Sequence, residues 1–188
     1  MKVWKETENG TWKLAHEIKM GAASVQCVTW APSEYGKILV AGTSDGTVLA
    51  LRFHEERWSS ISRNKAHSPN RRLGLVTGVR ALSWAPAGTT LFEDERKIEN
   101  KTLNIAVLRF ATVSSDDNHL RVWSIKGEVI SELASAKAAG DDDFVSDVAW
   151  DRLLGTESDV IAISTELTGV EVFKLTDGPE QRPALRSL

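Results

Sequence analysis

The stretch VQCVTWAPSEYGKILVAGTSDGTVLALRF, residues 25–53, decides how the rest of the chain is read. It opens by alternating apolar with small or polar residues and stops at Trp30-Ala31-Pro32. A proline cannot donate to a ladder, so a strand ends there. The turn SEYG leads into a second alternating run, KILVAGTS, and Asp45-Gly46 then supplies the strongest short-range hairpin signal before a third run, TVLALRF. One segment therefore predicts three antiparallel strands.

The same order recurs twice downstream. VRALSWAP (79–86) is followed by LRFATVSSDDNHLRVWSI (108–125), with Asp116 and Asp117 in the turn and Trp123 closing the third strand. VSDVAW (145–150) continues into DVIAISTELTGVEVFKL (159–175), where Phe173 stands at the place of Trp123. Trp30, Trp84 and Trp150 mark one repeat position and stand 54 and 66 residues apart. Those steps exceed the roughly 40–45 residues of a four-stranded propeller blade, so each repeat carries an extra loop. Two polar segments supply them, SRNKAHSPNRRLGLVTG (62–78) and AGTTLFEDERKIENKTLN (87–104).

The fold class this predicts is all-β, an incomplete WD-repeat β-propeller with about three full blades plus the last strand of a preceding blade. MKVWK at residues 1–5 reads as the end of a blade. Residues 6–58, 59–133 and 134–175 then read as three blades, the middle one with long loops. EVISELASAKAA (128–139) is rich in helix formers, but its place in the repeat makes it an outer strand. The tail from 176 to 188, with two prolines and few apolar residues, reads as disordered.

Composition sets bounds on function. A net charge of −3 provides no overall basic field for direct nucleic-acid binding, and no apolar run approaches a membrane span. MKVWKETENGTW has no apolar core of a signal peptide, and the single cysteine, Cys27, reads as a small half-buried side chain in a strand. These features predict a cytosol-facing protein.

No catalytic, cofactor-binding or metal site is expected. His16, His54, His67 and His119 lack metal-ligand spacing, and there is no phosphate loop, nucleophile elbow or HExxH motif. The cluster Arg63, Lys65, Arg71 and Arg72 has no interleaved aromatics and reads as a solvated loop. Asp141, Asp142, Asp143 and Asp147 do not fit a calcium loop, so a solvated turn is expected.

The strings MKVWK, ENGTW, SVQCVTWAPSEYG, SDGTVLAL, VRALSWAP, SSDDNHLRVW and GDDDFVSDVAW together resemble one family closely: the small WD-repeat propeller of the COPII outer coat. Members of that family also serve as a scaffold of the Y-shaped nuclear pore complex and in a nutrient-signalling complex that regulates TORC1. The resemblance covers nearly all of residues 1–175. It implies a non-catalytic scaffold in transport from endoplasmic reticulum to Golgi, completed by a large helical-solenoid coat or pore subunit. It places the chain at reticulum and vesicle membranes, which it would reach only indirectly through the coat, and at the nuclear pore. The alternative is another WD-repeat adaptor, such as a ubiquitin-ligase substrate receptor or a chromatin-binding propeller.

Residue by residue, the resemblance makes Asp45 and Asp116 turn residues and makes Trp30, Trp84, Trp123 and Trp150 core or inter-blade packing. Propeller repeats of this type often bond a Gly-His pair to the turn aspartate, which would join His67 to Asp116. Three departures stand out. The match corresponds to the middle of the family protein, the Gly-His glycine is replaced by Ala66, and the last tight turn reads Leu167-Thr168-Gly169 without an aspartate.

Overall fold

The computed structural model describes residues 1–19, 21–68, 78–88, 94–98, 101–105, 107–151, 159–177 and 183–188. Strand β1 (Lys2–Glu6) turns through Gly10, at φ +72°, and pairs antiparallel with β2 (Trp12–Glu17). The next four strands, β3 (Val25–Trp30), β4 (Ile38–Thr43), β5 (Thr47–His54) and β6 (Arg57–Lys65), form an antiparallel meander in chain order. A second sheet starts at β7 (Ala81–Trp84), is interrupted by a separate hairpin of β8 (Asp94–Ile98) and β9 (Lys101–Ile105), and resumes with β10 (Leu108–Ser114), β11 (His119–Lys126) and β12 (Val129–Lys137). The third sheet is β13 (Val145–Trp150), β14 (Asp159–Thr165), β15 (Val170–Asp177) and β16 (Pro183–Ser187).

The first strands of the sheets lie side by side, β7 against β3 and β13 against β7. Successive four-stranded meanders joined at their first strands are propeller blades. The repeat extends to the irregularities of the ladder. A bulge falls between Ala50 and Leu51 in β5, between Val122 and Trp123 in β11, and between Val3 and Trp4 in β1. That shared kink aligns Trp4 with Leu51 and Trp123, making β1–β2 the third and fourth strands of a blade.

Burial is greatest between sheets. Ile38, Val40, Val48 and Ala50 of the first meander pack on Trp84, Phe110 and Trp123 of the second. Ala111, Val113, Leu120 and Val122 on the other face of that second sheet pack on Trp150, Ile161, Ile163 and Phe173. The alternation of each middle strand thus serves two interfaces, which is why β4 and β10 are buried along their whole length.

The blade boundaries differ from those expected. Residues 12–17 pair back on β1 and do not open the β3–β6 sheet, because the short Asn9-Gly10 turn forces local antiparallel pairing. The first full meander runs on through Lys65, and β12 keeps residues 134–137 in the second sheet. Residues 129–137 are a strand, as position in the repeat required. The tail is not disordered throughout: β16 pairs with β15 and its Leu185 packs on the core. Pro183 fits there as the first residue of an edge strand, where no donor is needed. Residues 94–105 of the second extra loop contain the β8–β9 hairpin, and most of the first, residues 69–77, lies outside the described residues.

Candidate functional site

The deepest polar cluster joins the first and second blades. His67 is 1% exposed, its segment held where the N–H groups of Ala66 and His67 both donate to the carbonyl of Gly46. Its ring reaches into the second sheet, with Nδ1 2.9 Å from Asp117 Oδ1 and Nε2 2.8 Å from Thr112 Oγ1. Trp123 Nε1–H donates to the same Thr112 oxygen at 2.9 Å. An ionised Asp117 only accepts, so Nδ1 carries the proton and the Thr112 hydroxyl donates to Nε2. The relay Trp123, Thr112, His67, Asp117 satisfies the side-chain donors of Trp123, Thr112 and His67. Asp117 also accepts from Arg121 Nη2 and from the His119 N–H, both at 3.1 Å. Burial alone would raise its pKa, but the His67 hydrogen bond, the Arg121 charge and the His119 N–H hold it below the usual carboxylate value.

The His67 bond therefore falls on Asp117, one residue beyond the expected Asp116. Asp116 instead accepts the Gly78 N–H at 2.8 Å and fixes the entry to the second blade. Asp45 is a turn residue: its Oδ1 receives the Thr43 hydroxyl at 2.5 Å and the Thr47 N–H at 3.1 Å, and the Thr43 bond leads the lowering of its pKa.

In the third blade the carboxylate comes from elsewhere. Asp143, expected in a solvated turn, is 4% exposed. It accepts from the N–H groups of Phe144, Leu167 and Thr168 and from the Thr168 hydroxyl, at 2.8–3.1 Å. Those donors outweigh desolvation and keep its carboxyl well below the usual range. The last turn thus keeps a bonded carboxylate supplied by the loop before β13. Asp141 and Asp142 are exposed in the turn, and Asp147 is exposed within β13.

Three of the four repeat tryptophans are buried: Trp84, Trp123 and Trp150 are 7%, 3% and 3% exposed. Trp30 is not, at 54%. Trp84 lies on the strand before it, its Nε1 3.5 Å from the Thr29 carbonyl, and the Trp150 N–H donates to Ser83 at 2.9 Å. Trp30 has no equivalent strand beside it among the described residues and leans instead on Trp58, with ring centroids 5.7 Å apart.

Between the second and third blades Arg109 is ion-paired with Asp159, whose other oxygen accepts from Trp150 Nε1 at 3.2 Å. The guanidinium lies 5.6 Å from the centre of the Trp150 ring. Nothing in the sequence patterns marked this pair. Cys27 donates weakly to the Val79 carbonyl at 3.4 Å, and burial pushes its thiol up to about 11. Lys65 donates to the Asp45 carbonyl, while Arg71 and Arg72 lie outside the described residues. No group of three His, Cys, Asp or Glu side chains that could hold a metal occurs among the described residues. The buried polar clusters lie within the turns of a blade or at the joints between blades.

No protein-family model matches the chain. Curated relatives do. The protein transport protein Sec13 of Emericella nidulans is 27% identical over 174 residues, covering 88% of this chain and 52% of that protein. The Cryptococcus neoformans Sec13 is 26% identical over 87% of this chain and 50% of its own length. The Drosophila melanogaster Sec13 homolog is 28% identical over 87% and 43%. The chain spans about half the length of the curated relatives it matches. Among solved structures, the Dos1 propeller aligns with a TM-score of 0.46 at 12% identity, covering 96% of this chain and 40% of that one. Over nearly nine-tenths of its length the chain is similar to Sec13, a protein named for transport, and its described part is an incomplete WD-repeat propeller.

Proposed function

We propose that this chain is a non-catalytic protein-interaction scaffold of the COPII vesicle coat, working in transport from endoplasmic reticulum to Golgi. The observation that carries the reading is how the buried polar groups are used. His67, Asp117, Asp143 and the Arg109–Asp159 pair are each bonded within or between blades. Rigid blades with surface left for partners are what a scaffold needs. The Sec13 similarity supplies the transport context.

In this reading the main partner is a large helical-solenoid coat subunit that completes the propeller. The chain sits on the cytoplasmic side of reticulum and vesicle membranes and meets lipid only through the coat. Additional places at the nuclear pore and in a TORC1-regulating complex follow from the family resemblance. The test is immunoprecipitation of the endogenous protein, with its intact mass and its co-purifying chains read by mass spectrometry. Recovery of a helical-solenoid coat or pore subunit supports the scaffold. Recovery of a ubiquitin-ligase core or chromatin proteins in its place moves the assignment to a WD-repeat adaptor, and absence of any solenoid subunit overturns the coat assignment.

A further inference from the structure

We propose that Asn9 is a site of spontaneous deamidation, at which the side-chain amide is lost and the main chain is rerouted through an isoaspartyl link. The reaction needs an amide free to bend back, a following N–H that can attack it, and little bulk around that nitrogen. The Gly10 nitrogen gives up its proton and attacks Asn9 Cγ, and ammonia leaves carrying that proton as the succinimide ring closes. Water then opens the ring at either carbonyl, giving isoaspartate or aspartate. No oxidant, reductant or cofactor enters the balance.

Sequence and structure together select this one amide. Of the asparagines at 9, 64, 70, 100, 104 and 118, only Asn9 precedes a glycine, the residue that crowds the attack least. Its side-chain amide has no hydrogen-bond partner among the described residues. Gly10 has nothing within 4 Å of the place a Cβ would take, so the attacking nitrogen stands in open space. Asn118 shares the left-handed backbone, at φ +50°, but it is 8% exposed and its Nδ2 donates to the carbonyls of Gly140 at 2.8 Å and Asp143 at 2.6 Å. The Asn64 amide is held by the Ile130 carbonyl at 3.2 Å. Asp45 also precedes a glycine, yet its carboxylate is bonded to the Thr43 hydroxyl and the Thr47 N–H and cannot turn back on Gly46.

The accessibility of this turn belongs to its place in the repeat. The turns that join the third and fourth strands of both complete blades, Glu55-Glu56 and Gly127-Glu128, are exposed just as Asn9-Gly10 is. The Gly10 N–H donates to the Thr7 carbonyl at 2.9 Å, a bond that must open before attack, and opening the tip of an exposed turn costs little. Below the tip the strands close through the Thr7 N–H on the Thr11 carbonyl at 2.8 Å and the two threonine hydroxyls at 2.6 Å. Aspartate at position 9 leaves that closure in place. Isoaspartate adds a methylene to the main chain between Thr7 and Thr11 and displaces both the closure and the Glu6–Trp12 pairing. The change is thus confined to the β1–β2 hairpin. It goes beyond the scaffold reading and stands whichever assembly the chain joins.

The test is to hold the purified, folded chain in mildly alkaline buffer at body temperature beside a synthetic peptide of residues 6–13, which sets the unrestrained rate. Peptide mapping by mass spectrometry reads the mass gain of an amide becoming an acid. Methyl transfer from S-adenosylmethionine by a protein isoaspartyl methyltransferase reads the rerouted product. Asn9 should convert before any other asparagine, at a rate within about tenfold of the peptide's, because the turn tip opens easily. Both products should accumulate, and amide exchange should quicken across residues 2–6 and 12–17 in the isoaspartyl fraction alone. Gly10→Ala, made in the peptide and in the chain, should slow both, and Asn9→Gln should remove the methyl acceptor. Asn9→Asp should keep the hairpin's exchange protection. Conversion of Asn64 or Asn118 ahead of Asn9 overturns the proposal. So does a folded chain whose Asn9 stays intact while the peptide converts.

Discussion

The carboxylate of Asp143, in the loop before β13, receives the Thr168 hydroxyl at 2.8 Å and the Thr168 N–H at 3.1 Å. It does for the third blade what Asp45 and Asp117 do from within their own turns. All three carboxyls are held below their ordinary value of 3.8 in the folded chain. The folded state therefore binds fewer protons than the unfolded state near that pH. Their contribution is complete above about pH 5 and is lost as pH falls through 3.8 toward the lower folded values. Urea titrations at successive pH values should show a flat region above that window and a steady fall below it. Asp143→Asn should make the fall shallower, and it should speed amide exchange at Leu167 and Thr168 first. Unchanged acid sensitivity in that variant would contradict the assignment.

Removing one member of the His67 relay should cost more than its size suggests. Thr112→Val keeps the volume but leaves the Trp123 Nε1–H without its acceptor and His67 Nε2 without its donor. About 1–3 kcal/mol is expected for each buried group left unsatisfied. His67→Ala adds a cavity between blades. Because both changes break one relay, the double variant should be less destabilised than the sum of the two. Additive losses in chemical denaturation would mean that the two residues act separately.

Much of the fold was legible in the sequence because it depends on local chemistry. Alternation, the WAP endings and the Asp45-Gly46 turn placed β3, β4 and β5, and repetition placed their counterparts. The parts that were not legible depend on contacts between distant segments. Asp116 and Asp117 are adjacent in one turn, and only the approach of His67 from the preceding blade selects Asp117. Asp143 sits among three other aspartates whose composition reads as solvent-facing, and its burial follows from the third-blade hairpin folding over it. Trp30 shares its motif with Trp84 and Trp150, but burial of each requires a neighbouring strand, which sequence similarity among the three cannot report. The tail was misread because its prolines suit an edge strand as well as a free coil.

Gly42 is a packing requirement and not a turn residue. A Cβ at that position would lie 2.6 Å from the Val79 side chain and 2.7 Å from Cys27 Sγ. Both neighbours are held between the first two blades, so Gly42→Ala should destabilise by about 1–3 kcal/mol through overpacking. Gly140→Ala, where a Cβ meets nothing within 4 Å, should stay within about 0.5 kcal/mol of the parent. Thermal denaturation of the two variants side by side separates crowding from loss of backbone freedom.

The same joint makes Cys27 a slow nucleophile. With its thiol pushed up to about 11, about one molecule in a thousand carries the thiolate at pH 8. Alkylation by iodoacetamide should accelerate about tenfold per pH unit up to that region, and should become fast at pH 8 once urea unfolds the chain. Rapid modification of the folded protein at pH 8 would show that the joint between the first two blades opens readily.

Arg109 and Asp159 should behave as a unit because both are almost fully enclosed, at 1% and 3% side-chain exposure. Losing one partner leaves an uncompensated charge between blades, so Arg109→Met should cost about 3–5 kcal/mol. Asp159→Asn removes the other charge but keeps an acceptor for Trp150 Nε1. Adding it to Arg109→Met should recover part of that loss, because the isolated carboxylate is then gone. The exposed Lys137–Asp141 pair provides the contrast, at 54% and 81% side-chain exposure. Solvent and salt screen such a pair, so Lys137→Met should change stability by less than about 1 kcal/mol. About 0.5 M salt should leave the Arg109 effect nearly intact, because ions do not reach the joint. If the Arg109→Met loss shrank with salt as a surface pair does, the interface between the second and third blades would have to be open to solvent.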